Sequence, residues 1–110
     1  MLTELRSASC PVTVQQASRL LSLTHKRAGE WPQAVGIWED MISRTPDGVF
    51  ALVELAKWHE HRTRDYEQAL NLARQALHAL PLSAPEAERE ILQRRIARLE
   101  RRIAKARLSC

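Results

Sequence analysis

Residues 65–81 read DYEQALNLARQALHALP, and the architecture of the whole chain can be worked outward from them. Tyr66, Ala69, Leu70, Ala73, Ala76, Leu77 and Leu80 recur at three- and four-residue spacing, which gathers side chains on one face of an α-helix. Asp65 stands just before the first helical position. There a short carboxylate accepts from the free N–H groups of the first turn and meets the positive end of the helix dipole. Pro81 ends the run, because it has no amide proton to donate and disfavours helical backbone in the residue before it. Alanines at 69, 73 and 76 on the buried side predict a partner helix at close approach.

The same reasoning extends in both directions and predicts an all-α chain, since no sustained alternation of apolar and polar residues marks a strand. A first helix over about Val14–Arg27 is expected to bury Ala17, Leu20, Leu21 and Thr24 and to end near Gly29, where a missing side chain makes a tight reversal cheap. Trp31-Pro32 opens a second helix, with proline in the first turn where its absent N–H costs least. That helix turns Ala34, Val35, Trp38, Met41 and Ile42 inward and finishes before Pro46, with Trp38 as the strongest core candidate. After a reversal at Asp47-Gly48, a third helix over about Val49–Arg62 offers Leu52, Val53, Leu55, Ala56 and His59. This side is broad enough for neighbours on two flanks. Trp58 lies away from Leu52 and Leu55 in angle, and reads either as core or as part of a ligand-facing surface.

An offset of 35 residues aligns Trp31 with Tyr66, Ala34 with Ala69, Trp38 with Ala73, Met41 with Ala76 and Pro46 with Pro81. A period of this size is expected where a helix pair is the repeating unit, each pair burying its apolar face against the next. The forms Gly29-x-Trp31-x-x-Ala34-x-x-x-Trp38…Pro46 and Asp65-Tyr66-x-x-Ala69-x-x-x-Ala73-x-x-Ala76…Pro81 resemble the tetratricopeptide repeat family over roughly residues 15–81. The resemblance implies antiparallel helix pairs stacked into a short solenoid, with peptides bound in the groove formed by the first helices of successive pairs. Residues 52–62 do not supply the family's Trp, Leu-Gly and Tyr at their usual spacings, and the unit is one residue longer than the family's roughly 34. The phrase Ala51-Leu52-Val53-Glu54-Leu55-Ala56-Lys57-Trp58-His59-Glu60-His61, with Arg64-Asp65-Tyr66-x-x-Ala69-Leu70, is also similar to helical-repeat tails that follow ribonuclease-H-like exonuclease domains in some bacterial proteins. That likeness covers about half of the chain and brings no carboxylate cluster of the kind nuclease chemistry needs.

The net charge of +4 is unevenly placed. Residues 1–83 carry nine Lys or Arg against nine Asp or Glu, whereas residues 84–110 carry eight against four. The expected organisation is a flexible segment over 1–12, two helix-pair repeats over 13–82 and a basic amphipathic capping helix over 83–110, starting near Ser83 with Pro85 and Glu86 in its first turn. Leu92, Ile96, Leu99 and Ile103 follow the four-three-four spacing of a two-heptad seam. Arg94, Arg98, Arg101 and Lys105 lie opposite, with Arg95, Arg102 and Arg107 on the flanks. Three roles fit this helix: a cap packing its seam on the last repeat, weak self-association through the seam, or phosphate contact by the basic side with nucleic acid or an acidic membrane surface.

No pattern here carries catalysis. His59, Glu60 and His61 are metal-ligand types, but positions two apart on a helix point in different directions, and the four-residue histidine spacing of a helical zinc site is missing. His25 and His78 are isolated, and Cys10 and Cys110 form neither a CxxC pair nor part of a nucleophile motif. No cofactor is implied. The expectation is a non-enzymatic, cytoplasmic interaction or scaffold module with a protein or peptide partner. A nucleic-acid accessory role through the basic helix is the alternative. A peptide groove would draw on Lys26, Lys57, Trp58 and His61 and take an acidic or mixed segment. The family's carboxylate clamp is not recreated, as the single asparagine, Asn71, falls on a second helix.

Overall fold

The computed structural model describes residues 11–45 and 48–109, and the side chains of 15–45 and 48–108. Among the described residues five α-helices follow one another: α1 Pro11–Arg27, α2 Trp31–Arg44, α3 Val49–Trp58, α4 Tyr66–Ala79 and α5 Glu86–Ser109. No strand occurs among the described residues. Residues 1–10 of the expected N-terminal segment lie outside the described residues, as do Pro46 and Asp47 of the second reversal. The first helix is already under way at Pro11.

Each helix packs on the next in the chain, α1 on α2, α2 on α3, α3 on α4 and α4 on α5. The core runs along this series. Ala34 and Trp38 of α2, Leu52, Leu55 and Ala56 of α3, Ala69, Ala73 and Ala76 of α4, and Leu92 and Leu99 of α5 are all buried in one cluster. Alanine recurs where helices meet because a methyl side chain lets two backbones come close. Trp38 and Leu99 fill the remaining width, both fully enclosed. Ile96 and Ile103 pack half-buried on the same core.

Two reversals depend on left-handed backbone. Gly29, at φ 77°, closes α1: Glu30 N–H donates to His25 O at 2.8 Å and Gly29 N–H to Lys26 O at 3.1 Å, a Schellman closure that needs a residue without Cβ strain. At the other, α3 does not continue as α-helix to Arg62. It widens into a π-helical turn over His59–Thr63, and Arg64 takes φ 60°. Asp65 N–H then donates to His59 O at 3.0 Å, which is the closure after α1 with one residue more. Such single-turn π segments absorb one added residue in a helix. Thr63 Oγ1 steadies the turn, donating to His59 O and accepting from Asp65 N–H at 3.2 Å. Asp65 caps α4 as its sequence position suggests, accepting from Gln68 N–H at 3.2 Å.

The face expected to be buried on α1 is corrected by the structure. Leu20 is 67% and Leu21 52% exposed, with Ala17 and Thr24 also at the surface, while Ser22 is fully buried. Polar contacts orient this helix: Ser22 Oγ donates to Arg19 O, Arg19 stacks over the Phe50 ring at 4.6 Å, and Lys26 reaches Glu54 of α3. Periodicity finds an apolar stripe. It does not say which way the stripe turns.

Candidate functional site

Two carboxylates on the α3 segment organise the polar chemistry of the molecule. Glu54 is 7% exposed. Its Oε1 accepts from Lys26 Nζ of α1 at 2.9 Å and its Oε2 from Lys57 Nζ at 3.1 Å. Burial pushes this carboxyl up, but the hydrogen bonds and charges of the two lysines outweigh that and hold it below the ordinary carboxylate range. Each ammonium has three donors and gives one to Glu54. Both lysine side chains remain about one-third exposed, so the surrounding surface keeps a net positive charge.

Glu54 forms part of the wall of a cavity of about 430 Å³, lined also by Arg19, Val49, Phe50 and Val53 and closed on the far side by Leu80, Pro81, Ala84, Pro85 and Glu88. Helices α1 and α3 thus supply one wall and the α4–α5 connection the other. Arg89 Nη2 donates to Pro81 O at 3.1 Å and ties the start of α5 to that connection. The groove combines an aromatic and aliphatic floor with Arg19 and Glu54 on one wall and Glu88 on the other.

The second carboxylate, Glu60, sits in the π-helical turn and is fully buried. Arg95 Nη1 of α5 donates to Oε1 at 2.5 Å; Arg98 donates from Nε to Oε2 at 2.7 Å and from Nη2 to Oε1 at 3.1 Å. Burial raises the Glu60 carboxyl, yet the hydrogen bond and charge of Arg98, then those of Arg95, take it below its ordinary range, and the bond to Glu60 pushes the Arg98 guanidinium up in turn. The planar forks of arginine match both carboxylate oxygens, which makes this a directional lock between the end of α3 and the middle of α5. Next to it His59 is held below its usual value by burial, partly offset by Asp65 and Glu39.

Of the residues expected to line a peptide groove, Lys26 and Lys57 come together on Glu54. Trp58 packs half-buried beside the core with its ring 4.8 Å from His59, edge to face, and the exposed His61 stands 3.9 Å from Glu60. Of the basic residues considered for phosphate contact, Arg98 is engaged by Glu60 and Arg94 lies 3.7 Å from Glu90 on the exposed side of α5. Arg101 and Lys105 are exposed on the same helix. Arg102 stacks over Tyr66 at 5.5 Å, and Arg74 meets Glu100 at 2.6 Å. Sequence reasoning passed over Glu54 and weighed Glu60 only as a metal ligand. Their signal is an acid inside a helix buried on several flanks, which needs bases from elsewhere, together with a final helix whose arginines outnumber its own acids.

No group of three or more His, Cys, Asp or Glu side chains able to hold a metal ion occurs among the described residues, and no helix among them is long and apolar enough to cross a membrane. No family model and no solved structure matches the chain. The chain is 40% identical over 93 residues to the uncharacterized protein YprB of Bacillus subtilis (strain 168), a match that takes in 80% of this chain and 22% of that protein. The chain therefore spans about a fifth of the length of this relative.

Proposed function

We propose that the chain is a non-enzymatic, cytoplasmic protein-interaction module of tetratricopeptide type, taking an extended partner segment in the groove between α1, α3 and the start of α5. The observation that carries this reading is the Glu54 centre: one buried acid holds a lysine from each of two helices at the edge of an apolar groove. Two ammonium groups against one carboxylate leave donors and positive charge for an acidic side chain, and Phe50, Val53 and Leu80 line the groove together with Glu54. The repeat reading is supported by the π-helical turn, which absorbs the one residue by which the 35-residue offset exceeds the family's roughly 34.

Short acidic, neutral and basic peptides, each with one aromatic residue, test the reading by fluorescence anisotropy. Binding is expected for the acidic set, weakening as salt rises, and falling about tenfold or more when Arg19→Ala and Lys57→Ala are combined. Equal binding of all three sets, or affinity unmoved by the double substitution, overturns it.

A further inference from the structure

The outward face of α1 remains without a role in the groove. Ala17, Leu20, Leu21 and Thr24 form a stripe at helical spacing pointing away from the protein's own core. The two reversals fix what this stripe corresponds to later in the chain. The accepting carbonyls of the two closures, His25 and His59, are 34 residues apart, while the left-handed residues that follow, Gly29 and Arg64, are 35 apart. The extra residue therefore falls within the π-helical turn, and upstream of it α1 and α3 match at an offset of 34. Ser22, fully buried, then matches Ala56, also fully buried.

In that register Ala17, Leu20, Leu21 and Thr24 match Ala51, Glu54, Leu55 and Trp58. The first three of these are buried at 1%, 7% and 4%, and Trp58 is half-buried. On this face of α3, Glu54 is reached directly from the preceding helix pair. Lys26 of α1 bonds Glu54, and α2 packs against α3 with Ala34 and Trp38 in the same core cluster. The helix pair preceding α3 thus contributes to covering on α3 the face that stands open on α1.

We infer that the Ala17–Leu20–Leu21–Thr24 face of α1 is a docking surface for a further helix pair of the α1–α2 kind, whose second helix carries an aromatic-and-alanine face. The inference rests on the helix-pair reading above and extends it. Two other occupants fit the face less well. A second copy of the chain has its matching residues Ala34, Trp38, Ala69 and Ala73 already buried at home. A symmetric pairing of two α1 stripes would also set like charges together, since α1 carries Arg19, His25, Lys26 and Arg27 and no acid. Residues 1–10 contain no aromatic residue.

The test builds the missing neighbour. Residues 1–14 are replaced by a second copy of 11–48, so that Gly48 of the copy precedes Gln15 as Gly48 precedes Val49 in the natural chain. The extended chain is expected to melt at least about 5 °C higher than the natural one, and the gain is expected to vanish when Leu20→Glu and Leu21→Glu are introduced into the original α1. No gain, or a gain that survives both substitutions, overturns the inference. In the natural chain the same double substitution is expected to leave melting temperature and monomer mass unchanged. A lower melting temperature would show the face covered by residues 1–10, and conversion of a dimer to monomer would show it covered by a second copy; either result overturns the inference. Peptide binding in the groove is measured separately on the natural chain, so failure of the groove reading and failure of the docking face are told apart.

Discussion

Glu54 and Glu60 lie six residues apart on one continuous helical run, and each is a buried carboxylate held by two bases, yet the regions around them are built for different ends. At Glu54 the bases are lysines, point charges on flexible stems that stay partly in water and come from α1 and from α3 itself. At Glu60 they are arginines from α5, about 35 residues further on, and the carboxylate between them is closed off from solvent. The first arrangement keeps spare donors at a surface. The second joins two distant parts of the chain in one geometry. Burial of an acid is therefore not by itself a sign of a binding site; what distinguishes the two is how much donor capacity remains exposed.

That contrast is broken most directly at Glu60. Glu60→Ala leaves two guanidinium groups facing a closed space without their carboxylate, and is expected to destabilise the fold by about 3–5 kcal/mol, measured by urea denaturation. A loss below about 1 kcal/mol would mean that the arginines escape to water and the lock is not structural.

Leu99→Ala probes the apolar side of the same junction. Its fully buried side chain predicts a loss of about 2–5 kcal/mol, with hydrogen exchange accelerating first along α5. Global exchange at one rate would show instead that α5 unfolds only with the rest of the molecule.

Glu54→Gln should cost less, about 1–3 kcal/mol, because its lysines can turn to solvent while the amide keeps part of the hydrogen bonding. A double-mutant cycle for Glu54 and Lys57 is accordingly expected to give a smaller coupling than one for Glu60 and Arg95. Equal couplings would erase the distinction between the two regions.

Acid titration sharpens the comparison further. Both carboxyls are held below the ordinary glutamate range, so their stabilising contribution is fully present above the unfolded value and is lost as pH falls through the depressed folded values. Stability is expected to drop below about pH 4.5, and the slope should flatten in Glu60→Gln. The smallest effect belongs to the far side of α5: Arg94→Glu, exposed and 3.7 Å from Glu90, should leave the urea midpoint unmoved.

The helices were readable because their signals are local. Asp65 caps, Gly29 reverses, the prolines punctuate, and Trp38 with the alanines of α4 marks the faces that meet. The polar architecture was much less readable. Glu60 appears in the sequence beside two histidines as a discarded metal set, and its partners Arg95 and Arg98 appear as flank and far side of an amphipathic helix. Nothing in local spacing brings them together. The long, flexible arginine side chains reach around the helix to a buried acid, so helical angle alone misplaces them.

The sequence by itself determined that this chain is helical, where its helices begin and end to within a few residues, and that Trp38 and the alanines at 34, 69, 73 and 76 face the core, because these follow from period, capping and backbone geometry within a few neighbouring residues. Only the tertiary structure decided that α1 turns Leu20 and Leu21 outward and Ser22 in, that α3 widens into a π-helical turn, and that Glu54 draws Lys26 from α1 and Glu60 draws two arginines from α5. Those outcomes depend on which carboxylate can be satisfied by which base once the helices have packed. That balance of desolvation against pairing is set by neighbours far apart in the chain.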